Sequence, residues 1–318
     1  MSKLSLIIPV YNEEKNLPLL YDSISCALES LQQKWEVIFV DDGSQDASLQ
    51  VLKSLVEKDP LHVRAVVFRR NFGQTAAITA GIDHSQGDII VLMDADMQND
   101  PKDVPVLLAK LDEGYDLVSG WRKDRKDGFT RTIPSVFANA LISWVTGVHL
   151  HDYGCTLKAY RKDVLQGFRL YGEMHRFIPV YAHAVGARIT EIPIRHHHRQ
   201  FGEANYGLDR TLKVILDLFT VIFLLNYSHK PMRLFGGAGM ILITSSAAVL
   251  AYLFIRRVFF LVPVLDSPFF QLSIMLVILG FQSILMGLIA ELLARTYHES
   301  QAKPTYTVRE MINIKREH

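Results

Sequence analysis

Two stretches restrict what this chain can fold into more than anything else in it. Residues 234–255 and 269–290 are each 22 residues long and contain no charged side chain. As α-helices rising about 1.5 Å per residue, each would extend roughly 33 Å, the depth of a bilayer's hydrocarbon core. A buried helix of a soluble core is the alternative, but such helices rarely stay uncharged for so long. The link 256–268 is short, so the pair reads as a transmembrane hairpin with both flanks on one side. Lys230 and Arg233 precede it, and Arg295, Lys303, Arg309, Lys315 and Arg316 follow it, against Arg256 and Arg257 in the turn. This bias places both ends in the cytoplasm. The expected organisation is a globular domain over 1–228, a hairpin over 229–292 and a cytoplasmic tail over 293–318. The first residues lead directly into a β-rich run without an apolar h-region, so no cleavable signal peptide is expected.

Before the hairpin the pattern alternates. "LSLIIPV" (4–10), "WEVIFVD" (35–41), "VRAVVF" (63–68) and "DIIVLMD" (88–94) are short apolar runs, separated by amphipathic stretches around 14–31, 46–58, 73–84 and 101–112. Strands spaced by helices of this length indicate an α/β fold: a Rossmann-like, mostly parallel sheet covered on both faces. Ligands of such sheets bind beyond the carboxyl ends of the strands. Three of those ends are acidic: "PVYNEE" after the first strand, "VDDGSQD" after the second and "MDADMQ" after the fourth.

The acids narrow the chemistry. With 34 basic and 33 acidic side chains the formal net charge is +1, so no global field favours nucleic acid. Neither G-x-G-x-x-G nor G-x-x-x-x-G-K-[ST] follows a strand, so glycine amides do not cradle a phosphate here. A hard divalent cation, Mg2+ or Mn2+, held by one or two carboxylates and by substrate phosphates, would serve instead. Asp94 and Asp96, one residue apart on extended backbone, point the same way and fit such a clamp. The competing reading is an Asp- and Asn-rich turn that only caps a helix starting at Pro101. Cys26 and Cys155 match no ligand spacing and read as reduced thiols. "RHHHR" (195–199) suggests zinc, but adjacent imidazoles on a strand point to opposite faces, which favours a structural run.

"PVYNEEKNL", "VDDGSQDAS", "RNFGQTAAITAGIDHSQGD" and "VLMDADMQNDP", in that order and spacing, resemble the family 2 glycosyltransferases with the GT-A fold. "DYGCTLKAYRKDVL", "EIPIRHHHRQFGE" and the hairpin extend the resemblance to the polyprenyl-phosphate glycosyltransferases, among them dolichol-phosphate mannose synthase, bactoprenol glucosyltransferases and undecaprenyl-phosphate aminoarabinose transferases. The resemblance implies that Pro9, Tyr11, Glu13, Val40, Asp42 and Ala95 hold the nucleotide, and that Asp94, Asp96 and Gln98 hold the metal. Arg122, Arg131 and Arg199 contact phosphate, with Asp94, Asp96 and Arg199 in catalytic roles. It implies inverting transfer of a sugar from a UDP- or GDP-linked donor to polyprenyl phosphate at the cytoplasmic face of the bacterial inner membrane, and a homo-oligomer, a tetramer being one form. One departure stands out: where relatives read G-E-S-K, this chain has Gly202-Glu203-Ala204-Asn205.

A phosphate monoester is already anionic at pH 7, its second pKa lying near 6, so no general base is needed. Two further apolar stretches, 133–147 and 211–227, suit helices lying in the membrane interface, with core helices as the alternative. A processive polysaccharide synthase would carry Q-x-x-R-W and more spans, which are absent. The remaining alternative is a catalytically impaired nucleotide-sugar-binding partner of a lipid-sugar flippase.

Overall fold

The computed structural model describes residues 3–29, 31, 33–123, 139–140, 142–144, 146–165, 170, 174–198, 231–261, 263–265, 267–300 and 306–314. The chain divides into two compact units: Met1–Val221 together with Pro304–His318, and Ile222–Lys303.

The first unit is built on one sheet of eight strands among the described residues. These are β1 (Leu4–Val10), β2 (Trp35–Asp41), β3 (Val63–Phe68), β4 (Ile89–Leu92), β5 (Leu117–Trp121), β6 (Lys158–Arg161), β7 (Ile189–Pro193) and β8 (Val308–Ile312), in the order β7-β5-β6-β4-β1-β2-β3-β8. The expected parallel core is present: β2 and β4 flank β1, and β3 flanks β2, all in the same direction. β6 and β8 run against their neighbours. The helices are α1 (Asn16–Leu28), α2 (Ser48–Lys58), α3 (Gln74–Asp83), α4 (Val104–Asp112) and α5 (Ile178–Ala184).

Period-2 geometry sorts the strand side chains between two cores. Leu4, Leu6, Ile8, Val37 and Phe39 pack on one face with Leu17, Leu20 and Ile24 of α1, Leu52 and Leu55 of α2, and Leu107 and Leu111 of α4. Ile38, Val40, Val66 and Phe68 face the other way, against Ala76, Ala77 and Ala80 of α3. Both faces are covered, which is why β2 is buried at every residue and why these strands read as unbroken apolar runs.

At the amino ends of the strands sits a buried acid, Glu36. Its oxygens accept from Ser5 Oγ and the Gln86 amide (2.7 Å), and pair with Lys3 Nζ (3.2 Å) and Arg64 Nη1 (2.6 Å). Two cations and two neutral donors offset the cost of desolvating this carboxylate.

The segment 293–318 departs from the expected tail. Its first residues continue the second hairpin helix to Ser300, and β8 then pairs antiparallel with β3, Val66 opposite Met311 and Val67 opposite Glu310. A single five-residue edge strand with two adjacent opposite charges carries no local signal, because its partner lies far away along the chain.

The second unit is the hairpin: α6 (Pro231–Phe260) and α7 (Pro268–Ser300). Within them the stretches Leu234–Phe260 and Pro268–Ala290, 27 and 23 residues long, have mean hydropathies of 2.1 and 2.3, yet only 17% of an apolar 18-residue stretch of each is buried within the protein. A soluble core helix would bury its apolar side chains; Ile241, Phe254 and Phe281 are instead exposed. The helices touch where both lack a side chain. A Cβ on Gly239 would lie 2.6 Å from the Gly280 carbonyl oxygen, and one on Gly280 would lie 2.8 Å from that of Gly239. Ser246 Oγ donates to the Ser273 carbonyl and Ser283 Oγ to that of Phe235, both at 2.7 Å. Small residues at the crossing and hydroxyl bridges are how helices associate where the surroundings are as apolar as their own side chains.

Of the expected interfacial stretches, 211–227 lies outside the described residues. Within 133–147 the described part buries Ile142 and leaves Trp144 81% exposed.

Glu36→Ala should destabilise the protein by about 3 kcal/mol, because it leaves two cations without their buried partner. Lys58→Ala, which breaks an exposed pair with Asp22, should change stability by less than about 0.5 kcal/mol. Thermal unfolding of the two variants in detergent checks the contrast; equal shifts would contradict it.

Candidate active site

β1 and β4 are neighbours in the sheet, and the chain winds outward from them in opposite directions, β1 to β2 to β3 on one side and β4 to β6 on the other. That reversal opens a crevice at the carboxyl ends of the strands. The three acidic strand ends of the sequence converge there, in two halves.

One half is formed by the loops after β1 and β2, which are laced together. The Asn12 amide donates to Ser44 Oγ (3.0 Å) and the Gln45 amide to Asn12 Oδ1 (2.8 Å). The Glu14 amide donates to Asp46 Oδ2 (3.2 Å) and the Ala47 amide to Glu14 Oε2 (2.9 Å). Asn12 holds φ +57°, a left-handed conformation that Asn tolerates better than most residues. Pro9 sits opposite Val40 in the β1–β2 register. Tyr11, 42% exposed, presents its ring to solvent. Val40 is fully buried against α3, so it backs the crevice from the core and its side chain cannot reach a ligand. The Glu13 amide is anchored on Ser48 Oγ (2.9 Å).

Asp42 is tied from the other side. Its two oxygens accept from the backbone amides of Phe72 (2.6 Å) and Gly73 (2.9 Å). Burial pushes its carboxyl up from the usual range, with the neighbouring Asp41 adding to the effect and the two amides opposing it. Gly43 follows at φ +71°, and a Cβ there would lie 2.5 Å from the Arg70 carbonyl carbon. Only glycine lets the two loops approach this closely.

The other half is the "DADMQND" turn. Gln74 Nε2 donates to Asp94 Oδ1 at 2.7 Å. Gly73 and Gln74, consecutive in the chain, thus bridge Asp42 to Asp94. Burial, and then the charge of Asp96, raise the Asp94 carboxyl to about 6, against the opposing pull of Thr156, Arg122 and Lys158. Met97 adopts φ +61°, which turns the chain back so that the Gln98 amide donates to Asp96 Oδ1 (3.1 Å). Ala95 is buried between the two acids.

The histidine-rich segment braces this turn. His196 pairs with Asn99 in an isolated antiparallel bridge, and the His197 amide donates to the Gln98 carbonyl (2.8 Å). Arg195 places Nε (2.9 Å) and Nη2 (2.7 Å) on Asp103 Oδ1, with Nη1 3.4 Å from Asp100. Among the described residues no three His, Cys, Asp or Glu side chains converge as a metal cage.

Arg122, at the end of β5, forks onto Asp152, Nε to Oδ2 at 2.7 Å and Nη2 to Oδ1 at 3.0 Å. It is a held cation whose charge acts on Asp94. Arg131, Arg199 and the Ala204-Asn205 departure lie outside the described residues. Gln74, Asp152, Arg195 and Asp103 were missed as individuals, although "NFGQ" and "DYGC" both stood out as motifs.

The donor set suits a hard cation. Two carboxylates share one rim, one with its proton affinity raised by burial and by the other, and a divalent ion would relieve both costs. Asp94, Asp96 and Gln98 offer only oxygen ligands, and fewer than a closed cage needs, which suits an ion that completes its shell with phosphate and water.

Behind Asp94, Thr156, Lys158, Tyr160 and His175 line a small buried pocket. Burial, reinforced by Arg122 and Arg176, brings the Lys158 ammonium down to about 8, and it donates to the carbonyls of Tyr153 (3.1 Å) and Cys155. Burial first, then the charges of Arg176 and Lys158, bring His175 down to about 3, and its Nδ1 bonds Thr75 Oγ1 at 2.8 Å.

Residues 5–168 match the family model described as Glycosyl transferase family 2. Over 315 residues the chain is 43% identical to a dodecaprenyl-phosphate galacturonate synthase of Rhizobium johnstonii, covering 98% of this chain and 93% of the relative. It is 36% identical over 314 residues to an undecaprenyl-phosphate 4-deoxy-4-formamido-L-arabinose transferase of Salmonella choleraesuis, covering 98% and 94%. Among solved structures it is similar to glucosyl-3-phosphoglycerate synthase of Mycobacterium tuberculosis in complex with Mn2+, uridine diphosphate and phosphoglyceric acid. That match has a TM-score of 0.54 and 22% identity over 70% of this chain and 78% of that one, a likeness of fold.

The buried histidine sets a pH dependence of stability. His175 is neutral in the fold down to about pH 3, whereas in the unfolded chain it takes up a proton near 6.5. The unfolded state binds more protons across that window, so stability falls as pH drops below about 6.5, by up to about 1.4 kcal/mol per pH unit. His175→Gln should flatten the loss of Tm between pH 6.5 and 5; an unchanged slope would contradict the assignment.

Proposed function

This chain belongs to glycosyl transferase family 2, and we propose that it transfers a sugar from a UDP- or GDP-linked donor to a polyprenyl phosphate, with inversion, at the cytoplasmic face of the bacterial inner membrane. The observation that carries this is the pair Asp94 and Asp96 at the sheet's switch point, in a chain that also bears an exposed apolar hairpin. Both curated relatives carry a polyprenyl phosphate in their names, and both are matched along nearly the whole chain, hairpin included.

In this reading the loops after β1 and β2 receive the nucleotide. Tyr11 supplies the exposed ring, Pro9 and Ala95 supply backbone walls, Val40 supports them from the core, and Glu13 and Asp42 supply carboxylates. Asp94, Asp96 and Gln98 hold Mg2+ or Mn2+, which when bound offsets charge on the departing diphosphate. Arg122, fixed by Asp152, keeps a cation beside Asp94 without needing to reorganise during the reaction. Arg131 and Arg199 belong to the same reading as phosphate contacts. The acceptor's phosphate oxygen is already anionic, so no residue is assigned as base.

A lipid acceptor explains apolar surface that a sugar acceptor would not. The exposed Trp144 suits the headgroup region, where indoles concentrate, and the proposed interfacial helices, 133–147 and 211–227, would hold the crevice at phosphate height. The proposed boundaries are a catalytic domain over 1–228 and a hairpin over 229–292. In this reading the hairpin spans twice, so both flanks lie on one side, the side that the basic residues around it favour.

Asp96→Ala should cut transfer more than tenfold, a loss above about 1.4 kcal/mol of transition-state stabilisation, while leaving Tm unchanged, because no core volume is removed. Purified full-length protein in lipid nanodiscs, given undecaprenyl phosphate and a panel of UDP- and GDP-sugars with and without a chelator, checks this. A variant keeping more than about a tenth of the rate would remove Asp96 from the clamp.

A further inference from the structure

The loop that bridges the two halves of the crevice is not held by the crevice alone. Phe72 and Gly73 donate to Asp42, and Gln74 donates to Asp94. On its outer side the same loop leans on the end of β3. The Phe72 ring meets Phe68 edge-on, with centroids 5.6 Å apart. Phe68, buried, stacks on Tyr306 at 5.1 Å and 19° between planes. Tyr306 is buried in the α3-side core beside Val40 and Ala76, and its hydroxyl donates to Asp83 Oδ2 at 2.9 Å, at the last turn of α3.

β8 supplies the rest of the brace. Phe68 pairs with Val308, and the Arg69 amide donates to the Thr307 carbonyl at 3.2 Å. Pairing with the segment of β8 therefore runs to Arg69, three residues before Phe72. The positive charge of Arg309 also bears on Asp41, adjacent to Asp42. Just past the far end of β8, Asn313 Nδ2 donates to the carbonyls of Pro60 (2.6 Å), in the turn before β3, and of Val63 (2.9 Å), its first residue.

We propose that Tyr306, two residues ahead of β8, is a positioning residue for the nucleotide half of the site. It holds Phe68 and Phe72 so that the amides of Phe72 and Gly73 remain aimed at Asp42. This rests on the nucleotide-sugar reading above. The consequence is that the segment following the membrane hairpin is part of the donor site, although it touches no donor. Loss of the brace loosens an element used in binding, ahead of any group that acts on the reacting bond, so its effect falls on donor affinity. An ordinary edge strand would affect stability without changing affinity selectively.

The test uses the full-length protein in lipid nanodiscs. Tyr306→Leu keeps an apolar side chain in the core and removes the stack and the hydroxyl; Tyr306→Phe keeps the stack; Glu310→Ala, on β8, breaks an exposed pair with Lys53 of α2. Melting temperature, donor KM, kcat, and hydrogen exchange over residues 69–73 are measured for each. Tyr306→Leu should raise donor KM about tenfold with kcat within about twofold of wild type, and should speed exchange over 69–73. Tyr306→Phe should recover most of the affinity, and Glu310→Ala should match wild type. Tyr306→Leu with unchanged KM, or with kcat lowered at unchanged KM, overturns the proposal. Unchanged exchange over 69–73 overturns it independently of any donor, and is the readout should Tyr306→Leu lose its activity through lowered stability. A wild-type protein that no UDP- or GDP-sugar protects from exchange would instead sink the nucleotide-sugar reading.

Discussion

The site depends on three hydrogen bonds from three consecutive residues. Phe72 and Gly73 fix Asp42 and Gln74 fixes Asp94, so one short loop sets the spacing between the two halves of the crevice. The sheet alone cannot do this, because its strands fix only where the loops begin. Asp42 and Asp94 are acids raised by burial, and a buried acid without donors is costly. The loop that satisfies them is therefore held by them in turn. Gly43 pressed against Arg70 and the splint of Arg195 on Asp103 close the same arrangement from either side.

That arrangement suits a reaction in which the protein supplies charge and position and the acceptor brings its own nucleophile. The acids gather on one rim while the cations Arg122 and Lys158 are held by Asp152 and by backbone carbonyls. None needs to move to be in place, which is what electrostatic preorganisation requires. The hairpin answers a separate demand. On the proposed function, its exposed apolar helices, crossing at Gly239 and Gly280, would keep a lipid-linked acceptor and the chain in the same phase. Because β8 follows the hairpin, a chain cut before α6 would lose an edge strand of the catalytic sheet as well as its anchor.

The sequence made legible whatever rests on local pattern. The four apolar runs became β1 to β4, and the two uncharged stretches became α6 and α7. The DAD turn stands where β4 ends. What stayed hidden depends on pairing across distance. Gln74 meets Asp94 20 residues away, Arg122 meets Asp152 30 away, Arg195 meets Asp103 92 away, and Tyr306 meets Asp83 223 away. β6 and β7 are short, one holding a buried lysine and the other half exposed, so neither shows a clean alternation. The histidine run reads as a candidate metal motif, whereas its backbone at His196 and His197 and the Arg195 side chain before it brace the turn.

The most direct measurement is the identity of the two products formed from a nucleotide sugar and undecaprenyl phosphate. Mass spectrometry of the lipid fraction and chromatography of the nucleotide decide between transfer of a sugar and transfer of a sugar phosphate. The account predicts a lipid carrying one phosphorus and one sugar, released together with a nucleoside diphosphate. A lipid carrying two phosphorus atoms with release of a nucleoside monophosphate, or release of free sugar with no lipid product, would contradict it.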